Sequence, residues 1–143
     1  TNLNFVDVDK VIEKKTGLKI IDIFKKKGEI FFRNLEEKIT LNLLKDEKKI
    51  LSLGGGAFLN NNIRKEISYN SLSFWLNWKS STLIKRIHKN SKRPLAFESS
   101  KEDLKKLISK RSKIYSEANF RINCESLSKS MIVKKIINLY EKN

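Results

Sequence analysis

Apolar and polar residues alternate from Leu3 to Val8, which predicts a short strand ending in acids. Asp9 to Thr16 then reads as a helix, and Gly17 is a natural stop for it. A second short helix is predicted from about Ile20 to Lys27, ending at Gly28. A longer helix follows from about Glu29 to Leu44, with apolar residues at 31, 32, 35, 39, 43 and 44. Lys49 to Leu53 predicts the next strand, which runs directly into Gly54-Gly55-Gly56. Helix returns near Asn61 to Ile67. Leu72 to Leu76, continuous and aromatic, is the most strand-like segment of the chain. Ser80 or Ser81 is placed to cap a helix reaching about His88. Residues 90 to 100 are polar, hold the only proline and read as a mobile loop. A helix from about Lys101 to Ile114, a short strand at 120–123 and a terminal helix at 128–141 complete the pattern.

Strands alternate with helices throughout, which predicts an α/β fold: a parallel sheet with helices on both faces, in three layers. Length allows one domain with one modest core, and no internal repeat or linker divides residues 1–143. Ligands of such sheets bind at the carboxyl ends of the strands. Three features stand there: Asp7-Val8-Asp9, Gly54-Gly55-Gly56 and the polar 90–100 loop.

Composition narrows the function classes. A hydrophobic fraction of 39% with 33% charged residues suits a folded globular domain. Cys124 is the only cysteine, so no internal disulfide forms, and it reads as a small buried or half-buried thiol. No apolar run approaches the ~20 residues of a bilayer span, and the N-terminus is not signal-like. The cytoplasm is therefore expected. The net charge of +15 raises the question of nucleic acid. Of the 31 basic residues, however, 25 are lysines spread along the chain, with no recognition helix, zinc spacing or aromatic RNA motif. Nucleic acid is not expected as a partner; the positive field favours small anions such as nucleotides and carboxylates.

Asp7 and Asp9 suit water-mediated metal ligation and proton acceptance from a hydroxyl, provided the chain stays extended between them. They equally suit a helix cap and a solvated acid. Three glycines in a row exceed what a tight turn needs and suggest close approach of backbone to a ligand. The six arginines mark places where a planar, two-pronged donor is useful. Arg33 lies three residues before Glu36 on one helix face, either as a functional group or as a surface pair. Arg86 precedes the 90–100 loop, Arg93 lies in it before Pro94, and Arg111 precedes Tyr115 by four. Trp75 and Trp78 read as packing residues, and His88 as a surface one.

Taken in order, these residues resemble the shikimate kinase family. The matching run holds Phe5-Val6-Asp7-Val8-Asp9, Thr16-Gly17, Gly28-Glu29, Phe32-Arg33, Glu36 and Gly54-Gly55-Gly56. It continues through Arg64, Trp75-Leu76, Arg93-Pro94-Leu95 and Arg111 with Tyr115, nearly the whole chain in register. The resemblance implies a P-loop kinase fold and transfer of the ATP γ-phosphoryl group to the 3-hydroxyl of shikimate, with ATP and Mg2+ required. It implies that Asp9 contacts shikimate and accepts the hydroxyl proton, and that Asp7 holds magnesium through water. Arg33 and Arg111 would grip the shikimate carboxylate. Gly55 and Gly56 would lie against the ring, with Phe24 and Phe32 as the apolar wall. Arg93 would close onto the phosphates, and Arg86 would lie by the adenine. Residues of about 9–45 would form the substrate-binding helices and 88–100 the lid of a monomeric enzyme.

One departure concerns the nucleotide. No Gly-Lys-Ser or Gly-Lys-Thr occurs in the sequence, although the family carries this phosphate-binding loop after its first, central strand. The expectation is that a strand, loop and helix of about 25 to 35 residues precede Thr1 in the whole protein, leaving two unpaired strand edges here. The other reading is a catalytically inactive shikimate-binding remnant. A smaller departure is Lys113, which stands where the family usually has proline.

Overall fold

The computed structural model describes residues 3–46, 48–89 and 100–143. Arg93 and all but the last residue of the 90–100 loop lie outside them. Contacts within the chain fall into two compact units, Thr1–Ser71 and Leu72–Asn143.

The first unit runs β1 (Asn4–Asp7), α1 (Val8–Thr16), α2 (Ile20–Leu44), β2 (Lys49–Ser52), a 3-10 turn (Ala57–Leu59) and α3 (Asn61–Asn70). β1 and β2 pair in parallel, from Asn4↔Lys49 to Asp7↔Ser52. A parallel pair needs a long crossover, and α1 with α2 supplies it. Gly17 ends α1 at φ 68°, its N–H donating to Glu13 O at 2.9 Å. Within α2, Gly28 has φ 81° and ψ 170°, so the element is two helices broken at this residue, as the sequence predicts. Glycine adopts that conformation without a Cβ penalty.

Val8, Ile12, Ile23, Phe32 and Ile39 form one buried cluster, with Phe24, Leu35 and Leu53 packed against it. Full burial of such a side chain contributes about 1.5–3 kcal/mol. Ala57, Ile63 and Ile67 form a second cluster with Leu41, Leu44 and Leu53. A polar clamp ties α2 to α3: Asn60 Nδ2 and Asn62 Nδ2 donate to Glu37 at 2.9 and 2.7 Å. Asn60 Oδ1 also caps α3, accepting from Asn62 N and Ile63 N. Arg64 Nη1 donates to Phe58 O and Leu59 O, fixing the turn that follows the glycines.

The second unit runs β3 (Phe74–Asn77), α4 (Ser80–His88), α5 (Lys101–Tyr115), β4 (Phe120–Asn123) and α6 (Lys129–Tyr140). β3 and β4 pair in parallel, from Phe74↔Phe120 to Asn77↔Asn123. Ile122, Cys124 and Ile132 are buried with Phe74, Trp78, Ile136 and Leu139 around them. Cys124 is thus the buried thiol expected, and burial raises its pKa.

The start of α4 differs from expectation. Neither Ser80 nor Ser81 caps it; the cap position is Lys79, whose side chain makes no capping bond. Glu125 does the work from a distant part of the chain, accepting from Lys79 N at 3.1 Å and Thr82 Oγ1 at 2.6 Å. A carboxylate near a helix N-terminus serves both the open amides and the dipole, and nothing local in the sequence marks it.

The four described strands are all in parallel ladders, as two pairs, β1–β2 and β3–β4. Among the described residues no helix is long and apolar enough to cross a membrane.

Candidate active site

The end of β1 does not stay extended through both acids. Helix α1 begins at Val8, so Asp7 is its cap, with Oδ1 accepting from Lys10 N at 3.3 Å. Asp9 falls in the first turn of the helix. The two carboxylates therefore have separate settings, and Asp9 turns toward the glycine loop. A Cβ placed on Gly54 would lie 2.9 Å from Asp9 Oδ1.

Arg33 comes to the same place from α2. Its Nη1 donates to Glu36 Oε2 at 2.6 Å and its Nε to Glu29 Oε1 at 3.3 Å. The guanidinium carbon stands 5.1 Å from the centre of the Phe32 ring and 5.9 Å from that of Phe24. The two rings are tilted by 37° with centroids 4.6 Å apart. Aromatic faces attract a cation and orient it, so Phe24 and Phe32 form the floor under Arg33. On its other side the guanidinium lies so close to Gly56 that a Cβ there would collide with it. This accounts for one glycine of the three, and Asp9 with Glu36 accounts for another, Gly54. Gly55, between them, is exposed.

By its spacing, Glu36 was expected as a partner for Arg33 on a helix surface. It is instead 2% exposed. Its Oε1 would lie 3.1 Å from a Cβ on Gly54, so it too faces the glycine loop. Burial pushes its pKa above the ordinary value. The hydrogen bond and charge of Arg33 oppose that, and the charge of Asp9 adds to it. Glu36 and Gly54 stood in the matching run, but sequence reasoning gave neither a role in the site. The signals available were the i, i+3 spacing to Arg33 and the length of the glycine run.

In the second unit, Arg111 sits on α5. Its Nε is buried without a hydrogen-bond partner among the described residues. A buried orphan donor costs about 1–3 kcal/mol, so an acceptor from a ligand would relieve it. One turn on, Tyr115 has its ring 6.1 Å from that of Trp75. Arg86 is exposed and lies 3.7 Å over the Trp78 ring, so Trp78 both packs and carries a cation. Arg121 does the same over Trp75 at 4.9 Å. His88 is exposed, as expected.

Among the described residues no three His, Cys, Asp or Glu side chains cluster to hold a metal. One carboxylate at the end of β1 is the kind of ligand that a hydrated magnesium ion uses. Mg2+ commonly keeps several waters and takes one or two carboxylates plus substrate phosphates. Asp7 is the acid of the pair that lies at the strand end itself.

Comparison with known proteins bears on what this cradle belongs to. A family model described as shikimate kinase matches residues 1–141. The shikimate kinase of Bartonella henselae is 39% identical over 136 residues, which are 94% of this chain and 65% of that protein. The shikimate kinase of Sulfurihydrogenibium sp. is 38% identical over 136 residues, 95% of this chain and 81% of that protein. This chain thus spans 65% of the length of the Bartonella henselae relative. Among solved structures, the Aquifex aeolicus shikimate kinase superposes with TM-score 0.84 at 28% identity, covering 99% of this chain and 83% of that one. The Acinetobacter baumannii shikimate kinase, solved in complex with shikimate, gives TM-score 0.89 at 28% identity over 99% of this chain and 80% of that one.

Proposed function

The chain belongs to the shikimate kinase family, and from that premise we propose that its protein transfers the γ-phosphoryl group of ATP to the 3-hydroxyl of shikimate. Its fold is the parallel-stranded α/β fold of P-loop kinases. The observation that carries the proposal is the cradle in the first unit. Arg33, supported by Glu36, Phe24 and Phe32, and Asp9 converge on the Gly54–Gly56 turn.

Each residue has a task in that reading. Arg33 binds the shikimate carboxylate through charge-assisted hydrogen bonds. Arg111 is a second donor to the same group, its orphan Nε gaining an acceptor. Gly55 and Gly56 leave room for the ring at the backbone. Asp9 accepts the proton of the 3-hydroxyl as its oxygen bonds to the γ-phosphorus. The bond from that phosphorus to the bridging oxygen breaks, and ADP leaves. Arg93 neutralises charge on the phosphates and Arg86 borders the adenine. Asp7 would hold magnesium through water, and the ion would supply charge neutralisation on the phosphates. The protein's contribution is mostly position and electrostatics, and residues of about 88–100 are read as the lid of the enzyme.

The two units are read as parts of one kinase domain, with residues of about 9–45 as the substrate-binding helices. The protein is read as a cytoplasmic monomer acting on a small molecule, with no nucleic acid or membrane partner. In the family the phosphates are held by a glycine-rich loop ending Gly-Lys-Ser or Gly-Lys-Thr. The test is shikimate-dependent ADP release by the whole protein, lost on Arg33→Ala. A folded whole protein with that loop and no such release would sink the proposal. Shikimate binding without ADP release would move it to a non-catalytic binder.

A further inference from the structure

The guanidinium of Arg33 already carries two acids. Glu36, its side chain 3% exposed, holds Nη1 at 2.6 Å; Glu29, 54% exposed, holds Nε at 3.3 Å. An arginine offers a carboxylate a two-pronged edge only where adjacent N–H groups are open. One of those edges combines Nε with Nη2, and Glu29 sits on it. The other combines Nη1 with Nη2, and Glu36 bonds Nη1.

The two acids are not equivalent. Glu36 is enclosed by α2 and the glycine turn, with Gly54 against its second oxygen. Glu29 is the first residue after the Gly28 break, where α2 restarts, and its neighbours Ile30 and Phe31 are exposed. An exposed pair of this kind contributes little to stability and exchanges readily. A buried one does not, because its release strands a charge.

The geometry points to Glu29 as an internal competitor: its carboxylate occupies the Nε edge of Arg33 and must swing away for a substrate carboxylate to bind in two-pronged fashion. Glu36 remains in place and keeps the guanidinium aimed at Gly56 throughout. Glu29 is thus a specificity-setting residue. Weak carboxylates that cannot displace it are turned away, while a ligand with further contacts succeeds. The identity of the substrate rests on the shikimate kinase reading; the exchange at Arg33 does not.

The test is Glu29→Gln in the whole protein, which keeps shape and removes the charge. Acetate is titrated first, following the Arg33 Nε–H resonance by NMR, with Arg33→Lys identifying the signal. Half-saturation is expected at about two- to fivefold lower acetate in the variant. Shikimate is titrated next, and KM is expected to fall by a similar factor. Unchanged or weaker acetate binding in the variant overturns the inference, since Glu29 would then only position Arg33. A protein that turns over no shikimate refutes the functional reading instead, and the acetate titration still decides the role of Glu29.

Discussion

Arg33 Nη1 and Glu36 Oε2 stand 2.6 Å apart, with Glu36 2% exposed. The helix surface pair suggested by their spacing is therefore an anchor reaching into the protein. The buried acid is the anchor, and the guanidinium it holds lies against the glycine turn at Gly56. Arg33→Ala is expected to lower kcat/KM for shikimate at least about 100-fold, the scale of losing charge-assisted hydrogen bonds. Arg33→Lys restores little, because an ammonium cannot fork. Steady-state ADP release measures both.

Glu36 gives a pH signature. Its pKa is raised by burial from 4.5, so the folded state holds its proton more tightly than the unfolded chain does. The contribution of Glu36 to stability is then fully present below pH 4.5 and is lost as pH rises through the folded value. Glu36→Gln removes that loss. Denaturant unfolding at a series of pH values from about 4 to 8 should show wild type losing ground to the variant as pH rises. Parallel curves would show that the acid does not titrate upward.

Gly56→Ala tests the close approach of backbone and guanidinium. The clash falls on the far end of a flexible side chain, so the fold should survive and Arg33 should move. A displacement of about 1 Å is worth on the order of 100-fold in rate. A circular dichroism spectrum like wild type with kcat/KM reduced by about tenfold to 100-fold is expected. Gly54→Ala should instead disturb Asp9 and Glu36 together.

Arg111→Met separates function from stability. The arginine keeps a buried Nε unsatisfied among the described residues, so an apolar replacement should leave Tm unchanged or raise it. KM for shikimate should rise at least about tenfold, the value of one charged hydrogen bond. A lower Tm with unchanged KM would make Arg111 structural.

Glu37 is the stability counterpart. Its hydrogen bonds from Asn62 and Asn60 lower its pKa below 4.5. Its contribution is thus present above that value and lost as pH falls through the folded one. Glu37→Gln is expected to lower Tm at about pH 7, and its difference from wild type should shrink as pH falls.

Local chemistry was enough to read most of the elements. Gly17 and Gly28 punctuate the helices because only glycine enters the left-handed region without cost, and their consequences are confined to neighbouring residues. The alternation of strand and helix likewise carried the α/β class, since period and turn residues are local. Asp9, Arg33 and Gly56 were legible as candidates from residue type and order alone. Tertiary structure decided the rest. Asp7 and Asp9 were separated by the onset of α1 at Val8. Glu125 came from 43 residues away to hold the start of α4 through Thr82. Glu36 became a buried acid because α2 presses that face against the glycine turn. Burial and long-range hydrogen bonds depend on which surfaces meet, and spacing along one helix states which residues share a face but not what lies opposite it.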